Sequence, residues 1–292
     1  MWFSDSYFIE KSDADPDSQI DATTASDVNI NSEDEDQHVG DIFEDLVKLR
    51  KGAPANIICG YLNINSYRNK YEHIVELLQR NIIDILFISE TKLDSSFPDA
   101  LFNVEYFTLH RSDRNQHGGG VLVYVRADLA GDRVKQTEFK DLESIAVEVT
   151  AELFVGTYKP PNMSDTTFND DFKINTDKIC KNDDNFMITG DMNFNMLDEQ
   201  RSSVLNDLCD IFCLKNLVKK PTCYTCNAKP TLLDVILTNQ ENKCGKLYNL
   251  GTGFSDVHNF IAVQVKCARS LHNPKYRNCR SFENFDEQFF FI

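Results

Sequence analysis

Asp256 and His258 stand two positions apart in GTGFSDVHNF, residues 251–260, just ahead of the alternating run NFIAVQV. A carboxylate and an imidazole at a strand start suit acid–base chemistry. Ser-Asp is also ordinary turn chemistry, and a single loop histidine is often only solvated. Other residues must decide. Asp234 lies inside TLLDVIL, between Leu232, Leu233, Val235 and Ile236, so burial is expected. A buried carboxylate is costly unless paired. His258 can be that partner, since a carboxylate fixes a histidine tautomer and raises its basicity. A strand-edge Asp satisfied by backbone amides is the plain alternative.

Other apolar stretches also end in acids or amides: Asn63 after GYL, Glu90 after ILFIS, Asp191 and Asn193 after FMITG. Chemistry in α/β proteins gathers at such ends, because rigid strands aim loop side chains into one cleft. Together with Asp256, these residues are mostly hard oxygen donors, which suit Mg²⁺ or Mn²⁺ rather than zinc. Amides such as Asn63 and Asn193 can orient a phosphate without adding repulsive charge. The chemistry suggested is metal-assisted hydrolysis of a phosphodiester or phosphomonoester. Cys209/Cys213 and Cys223/Cys226 have zinc-like spacing. With Cys213 expected in an apolar helix and Cys223 in a PTCY turn, reduced structural thiols are the preferred reading.

The elements that must position these groups alternate from about residue 56 to 267. NIICGYLNI, DILFISET, GGGVLVYVRA, FMITGDMNF, TLLDVILTN and NFIAVQVK read as strands, and SIAVEV with ELFVGTYK as a hairpin or meander. NKYEHIVELLQRN, DDFKINTDKICKN and SVLNDLCDIFCLKNL read as helices, and DIFEDLVKLR as a short amphipathic one. Several strands follow one another without a helix, which predicts mixed sheets with helices packed outside. Gly118–Gly120 read as backbone turning into a strand rather than as a phosphate cradle, because no helix start follows.

The 292 residues suffice for a full core. No apolar run approaches the ~20 residues of a membrane span, and the N-terminus lacks the pattern of a signal peptide. Nine irregularly spaced cysteines then favour reduced thiols and an intracellular protein. The net charge of −16 is concentrated at one end: residues 1–50 hold 14 Asp/Glu against 3 Lys/Arg, leaving 32 against 27 beyond them. The expected organisation is an acidic, largely disordered segment over 1–50, a catalytic domain over 51–267 and a linker over 268–292.

LNINSYRNKYE, ISETKLDSSFP, HRSDRNQHGGGVLVYVR, GTYKPPN, ITGDMNFN, PTLLDVILTN and GFSDVHNFI occur in that order. Together they resemble the endonuclease/exonuclease/phosphatase superfamily over about residues 56–267. The nearest resemblance is to the apurinic-like endonuclease domain of non-LTR (LINE-type) retrotransposons of the Jockey/L2/CR1 kind. It implies an α/β fold, a four-layer sandwich of two mixed β-sheets packed face to face with helices outside. It implies Mg²⁺ (or Mn²⁺) as cofactor, double-stranded DNA as partner, a monomer with no membrane association, and nuclear localisation by analogy. NPKYRNCRSFENFDEQFF resembles the connector to a reverse transcriptase domain, which is not in this sequence.

By motif match, the resemblance makes Glu90 the principal metal ligand, with Asn63 assisting at metal or phosphate, Asn65 nearby and Asp256 in the metal's outer shell. Asp191 orients or deprotonates the attacking water, or serves the leaving group. Asn193 holds the scissile phosphate and Tyr158 contacts phosphate or the transition state. Asp234 pairs with His258, which stabilises the negative charge developing on phosphorus. Arg111 and Arg114 are expected to contact DNA phosphates, a solvated turn being the alternative.

The implied activity is nicking of one DNA strand to leave a 3′-hydroxyl that primes reverse transcription. A phosphatase or RNA nuclease on the same fold is one alternative, and a catalytically silent remnant acting as a binding module is another. The last draws on one departure: the superfamily usually has Asp and His adjacent, and here Val257 intervenes. In a strand a one-residue shift reverses the side chain's face, so His258 reaches the cleft only if the turn bulges. YKPP in place of the commoner YRPP keeps the charge and loses the bidentate fork.

Overall fold

The computed structural model describes residues 42–267, except Ala130 and Asp184. The expectations for the acidic segment before residue 42 and for the linker over 268–292 lie outside the described residues.

The described chain forms helices α1 (Ile42–Gly52), α2 (Tyr71–Gln79), α3 (Asp165–Asn182) and α4 (Glu199–Ile211). Its strands are β1 (Ile57–Asn63), β2 (Ile85–Ser89), β3 (Phe107–Ser112), β4 (Val121–Arg126), β5 (Asp132–Arg133), β6 (Glu143–Val149), β7 (Glu152–Tyr158), β8 (Phe186–Asp191), β9 (Lys215–Asn216), β10 (Asp234–Thr238), β11 (Cys244–Leu250) and β12 (Phe260–Val265). They make two six-stranded mixed sheets, ordered β11-β12-β1-β2-β4-β3 and β5-β6-β7-β8-β10-β9. Within them, β1 and β2 pair in parallel, as do β7 and β8.

Residue period fixes the layers. In β1, Ile57, Cys59 and Tyr61 join the core between the sheets, while Ile58 and Leu62 join a second core under α1 and α2. In β2, Ile85 and Phe87 face inward, and Leu86 and Ile88 face the helices. Strands apolar on both faces are what a sheet covered on both sides requires. On the other side, Phe168, Phe172 and Ile179 of α3 and Leu205 and Leu208 of α4 pack against the second sheet. The result is the expected four-layer sandwich. The sheets approach so closely at Gly156 that an added Cβ there would lie 2.0 Å from the Phe87 ring.

Helix α1 straddles the boundary drawn at residue 51 and packs as part of the folded unit. Leu46 and Leu49 are fully buried. Arg50 pairs with the buried carboxylate of Asp84, which also holds Arg126 at 2.7 Å. Gln264 Nε2 of β12 donates to the Leu49 carbonyl at 2.5 Å.

Three local expectations need correction. The helical reading of 203–217 runs too far: α4 ends at Ile211, Cys213 takes φ +53°, and Lys215–Asn216 pair with β10. Cys213 is therefore beyond the helix and exposed. Strands β3 and β11 lie at the sheet edge and were not anticipated. Neither shows a clean alternation; β3 is half-exposed along its length, and the register of β11 shifts between Cys244 and Leu247.

Candidate active site

One register row crosses four strands of the second sheet. Glu143 pairs with Tyr158, Tyr158 with Asp191, and Asp191 with Asp234. Residues level in a sheet project from the same face, so four polar side chains share one end of the sandwich. In the first sheet, Asn63 pairs with Ser89 at the ends of β1 and β2. Glu90 follows immediately.

Tyr61 bolts the two rows together. Its buried hydroxyl accepts from the Asp191 backbone N–H at 2.8 Å and lies 2.5 Å from Ser89 Oγ. From the other row, Asn63 Nδ2 donates to Glu90 Oε1 and to Asp191 Oδ2, both at 2.9 Å. The loops around Glu90 are laced by backbone bonds: Ser66 N–H donates to the Glu90 carbonyl, Thr91 N–H to Gly120 and Lys92 N–H to Gly119. Gly119 and Gly120 adopt φ of +67° and +87°, which explains glycine at this corner before β4. Asn65, Ser66, Glu90, Lys92 and Asn193 also have positive φ. Such backbone costs energy in non-glycine residues and clusters where side chains must be aimed at a site.

His258 meets Asp234 with Nδ1 to Oδ2 at 2.8 Å, and its Nε2 stands 3.9 Å from Asp191 Oδ2. Since an ionised carboxylate only accepts, Nδ1 carries a proton toward Asp234. The Asp191 separation is too long for a hydrogen bond, so Nε2 is left facing the cleft. Burial opposes the charge on His258, but Asp234 outweighs it, and the imidazole is pushed up to about 11. Burial and the neighbouring Asp234 charge raise the Asp191 carboxyl, against the pull of His258.

The intervening Val257 does not turn His258 away. Residues 253–257 are bends, and β12 starts only at Phe260, so the extra residue is absorbed before strand alternation applies. Ser255 Oγ donates to the Asn63 carbonyl at 3.0 Å and anchors this loop to β1. Two bonds hold the backbone beside His258: Tyr224 N–H to Val257 O at 2.8 Å and Asn259 N–H to Thr222 O at 2.7 Å. Thr222 Oγ1 also accepts from the Asp234 N–H at 3.1 Å. Asp256 points to the rim, 56% exposed, where Lys70 pairs with it at 3.0 Å and lowers its carboxyl's pKa.

Asn193 donates its N–H to Asp191 Oδ1 at 2.8 Å and its Nδ2 to the Lys159 carbonyl at 2.7 Å. This holds its amide beside Asp191. Tyr158 is buried and hydrogen-bonded to Glu90; burial first, then the Glu90 and Asp191 charges, keep its phenol protonated. Asn65 links outward: its N–H reaches Asn63 Oδ1 at 3.1 Å, its Nδ2 reaches Asp256 at 3.2 Å, and Lys92 donates to its Oδ1. Arg114 pairs with Glu143 at 2.6 Å and is partly exposed.

Arg111 departs from expectation. It is only 7% exposed, and all five of its N–H groups are used, on Asp99, Asp113 and the carbonyls of Phe97 and Asp94. It ties a loop together and has no donor left for a DNA phosphate.

Tyr61, Glu143, Thr222, Lys70 and Lys92 were not singled out from sequence. Only Tyr61 carried a signal, a phenol among apolar neighbours in β1 that needs a buried partner.

Among the described residues, Asp191, Asp234 and His258 are the one group of His, Cys, Asp and Glu close enough to share an ion. The surroundings suit a divalent cation. Glu90, Glu143 and Asp191 act on one another electrostatically or through Tyr158, and buried Asp234 Oδ1 has no hydrogen-bond partner. Crowded carboxylates with hard oxygens need compensating positive charge. Glu90 and Asn63, joined by the bond from Asn63 Nδ2 to Glu90 Oε1, stand beside this group.

Residues 60–255 match the Endonuclease/Exonuclease/phosphatase family. No curated protein matches the sequence. Solved structures with this fold include the 3′ phosphatase NExo from Neisseria bound to a product DNA hairpin (14% identity, TM-score 0.58, 72% of this chain and 99% of that one). They also include an AP endonuclease from Archaeoglobus fulgidus (16%, 0.55, 72% and 99%). The endonuclease domain of TRAS1, a telomere-specific non-LTR retrotransposon, is similar as well (12%, 0.58, 74% and 100%). The match over 60–255, which takes in Asn63, Glu90, Asp191, Asn193 and Asp234 and stops just short of Asp256 and His258, makes this chain a member of the Endonuclease/Exonuclease/phosphatase family.

Proposed function

We propose that the protein is a divalent-metal-dependent DNA endonuclease of the non-LTR retrotransposon type, nicking one strand to leave a 3′-hydroxyl. The observation that carries this reading is the convergence of Asp191, Asn193, Asp234 and His258 beside Glu90 and Asn63. The ordered motifs of the sequence and the likeness to the TRAS1 domain support the retrotransposon assignment.

Asp191, raised by burial, accepts the proton of the attacking water. The water oxygen bonds to phosphorus, the bond from phosphorus to O3′ breaks, and the departing O3′ takes a proton from solvent water, leaving a 3′-hydroxyl and a 5′-phosphate. His258, held charged by Asp234, places its Nε2 proton against the negative charge that grows on the phosphoryl oxygens. Asn193 holds the phosphate through its amide. Mg²⁺, or Mn²⁺, held by Glu90 and Asn63, would supply Lewis-acid stabilisation of the phosphate oxygens. Tyr158 keeps Glu90 in place, and Asp256 acts from the outer shell through Asn65.

Plasmid nicked by the full chain in Mg²⁺ should prime synthesis by a DNA polymerase without phosphatase treatment. The NExo likeness favours a second reading, 3′-phosphate removal. A protein that releases phosphate from a 3′-phosphorylated duplex, and leaves supercoiled plasmid intact, would establish that reading instead.

A further inference from the structure

Glu143 begins the row that Tyr158, Asp191 and Asp234 continue, and no motif marked it. Its root is fixed. Asp171 of α3, itself buried, accepts three successive N–H groups just ahead of it, from Lys140 at 3.0 Å, Asp141 at 2.9 Å and Leu142 at 2.8 Å. Beyond it, β6 pairs with β7 along its full length. The carboxylate then crosses to the other sheet. Oε2 accepts the Gly120 N–H, and Oε1 pairs at 2.6 Å with Arg114, whose Nε donates to the Gly118 carbonyl at 2.8 Å. The glycine corner packs onto this ion pair: a Cβ at Gly119 would run into the Glu143 carboxylate and the Arg114 guanidinium.

That corner carries the Glu90 segment. The Gly119 and Gly120 carbonyls accept the N–H groups of Lys92 at 2.9 Å and Thr91 at 3.2 Å. Strand β2 ends at Ser89, and Glu90 and Lys92 take φ of +50° and +54°. Residues with a side chain hold that conformation only where their neighbours impose it. The bonds on the other side, Ser66 N–H to the Glu90 carbonyl at 2.8 Å and Tyr67 N–H to the Thr91 carbonyl at 2.9 Å, come from loops of the same sheet. Glu143 ties the backbone of the corner to the sheet that bears Asp191.

We propose that Glu143 is a positioning residue for Glu90: its carboxylate clamps the Gly119–Gly120 corner and so sets where the Glu90 carboxylate stands relative to Asp191. An ionised acceptor suits the task, because charge-assisted bonds are short and strong. The proposal rests on the reading of Glu90 as a group that serves the reaction.

The test compares the full chain with Glu143→Ala, Glu143→Gln and, as a control, Glu148→Ala, an exposed position on the same strand. Two quantities are read: kcat and KM for nicking, and amide hydrogen exchange at Thr91 and Lys92 in metal-free protein, followed by NMR. Glu143→Ala should lower kcat about tenfold with KM within about twofold, because a misplaced group costs rate more than ground-state binding. It should also speed exchange at Thr91 and Lys92 at least about tenfold, as the corner opens locally. Glu143→Gln keeps an acceptor for the Gly120 N–H and gives up only the charge, so kcat and exchange should return to within about threefold of the unmodified chain. Glu148→Ala should change neither. If Glu143→Ala does not fold, Glu143→Met, which keeps the length without a strong acceptor, takes its place. Unchanged exchange in folded Glu143→Ala or Glu143→Met would overturn the proposal, whatever happens to the rate. A loss of kcat in Glu143→Gln as large as that in Glu143→Ala would show that the charge itself acts on the reaction, and overturns it equally. An unmodified chain that does not nick would sink the nuclease reading alone, since exchange still reports whether Glu143 holds the corner.

Discussion

His258 Nδ1 lies 2.8 Å from Asp234 Oδ2, although Asp234 starts β10 of one sheet, His258 lies in the loop before β12 of the other, and Val257 separates His258 from Asp256. The pair joins β10 of one sheet to the approach of β12 in the other, at the same end as Asp191 and Glu90. His258→Ala should reduce nicking by roughly 10²–10³, the usual cost of one preorganised stabiliser of developing charge. Asp234→Ala also leaves a buried imidazole unpaired, so it should cost roughly 3–5 kcal/mol of stability. Turnover assays and chemical denaturation measure the two effects separately.

Metal binding should be visible without turnover. If Glu90 holds the ion, Mg²⁺ or Mn²⁺ at about a hundred times its Kd should stabilise the protein by about 2.7 kcal/mol. Glu90→Gln should lose that increment while keeping its bond to Asn63. Equal metal-dependent shifts in Tm for both proteins would place the ion elsewhere.

The pH response of the pair has a definite sign. His258 in the metal-free fold is raised from 6.5 to about 11. The stabilisation that comes with its charge is complete below about 6.5 and is lost progressively as pH rises toward 11. The stability gap between the unmodified chain and Asp234→Asn should therefore narrow over that window. A gap that stays constant over that window would mean that the imidazole is neutral in the fold.

Much of this was legible in the sequence, because the polar residues of the cleft sit at the ends of the most regular strands. β1, β2, β8 and β10 are short apolar runs whose terminal residues stand out as polar, so Asn63, Glu90, Asp191 and Asp234 could be found. The rest depends on pairing between distant segments. Nothing near Arg111 announces that Asp99 and the carbonyls of Asp94 and Phe97, from the preceding loop, claim its guanidinium. Val257 suggested a face reversal, because strand periodicity was applied to a residue that lies in a loop. The brace from Thr222 to Tyr224 is invisible until 222–224 lies against 257–259.

Arg111 provides a direct check on that correction. Arg111→Ala should lower stability by roughly 1–3 kcal/mol, since it removes the donor to the partly buried carbonyls of Phe97 and Asp94. DNA affinity should keep the same dependence on salt, because no phosphate contact is removed. A shallower salt slope in the folded variant would restore Arg111 to the DNA interface.

Tyr61→Phe isolates the bolt between the rows. It removes the acceptor of the Asp191 N–H and the partner of Ser89. The expected cost is about 1–3 kcal/mol in stability, with a lower kcat because Asp191 is no longer held against Asn63. An unchanged kcat in folded Tyr61→Phe would show that the rows keep their alignment without it.

The most direct measurement is relaxation of supercoiled plasmid by the full chain with Mg²⁺, beside Glu90→Gln and His258→Ala. The account predicts nicked circles from the unmodified protein, none once the metal is chelated, and a loss of at least about a hundredfold in each variant. Folded protein that leaves the plasmid supercoiled, or nicking that survives both substitutions, would contradict it.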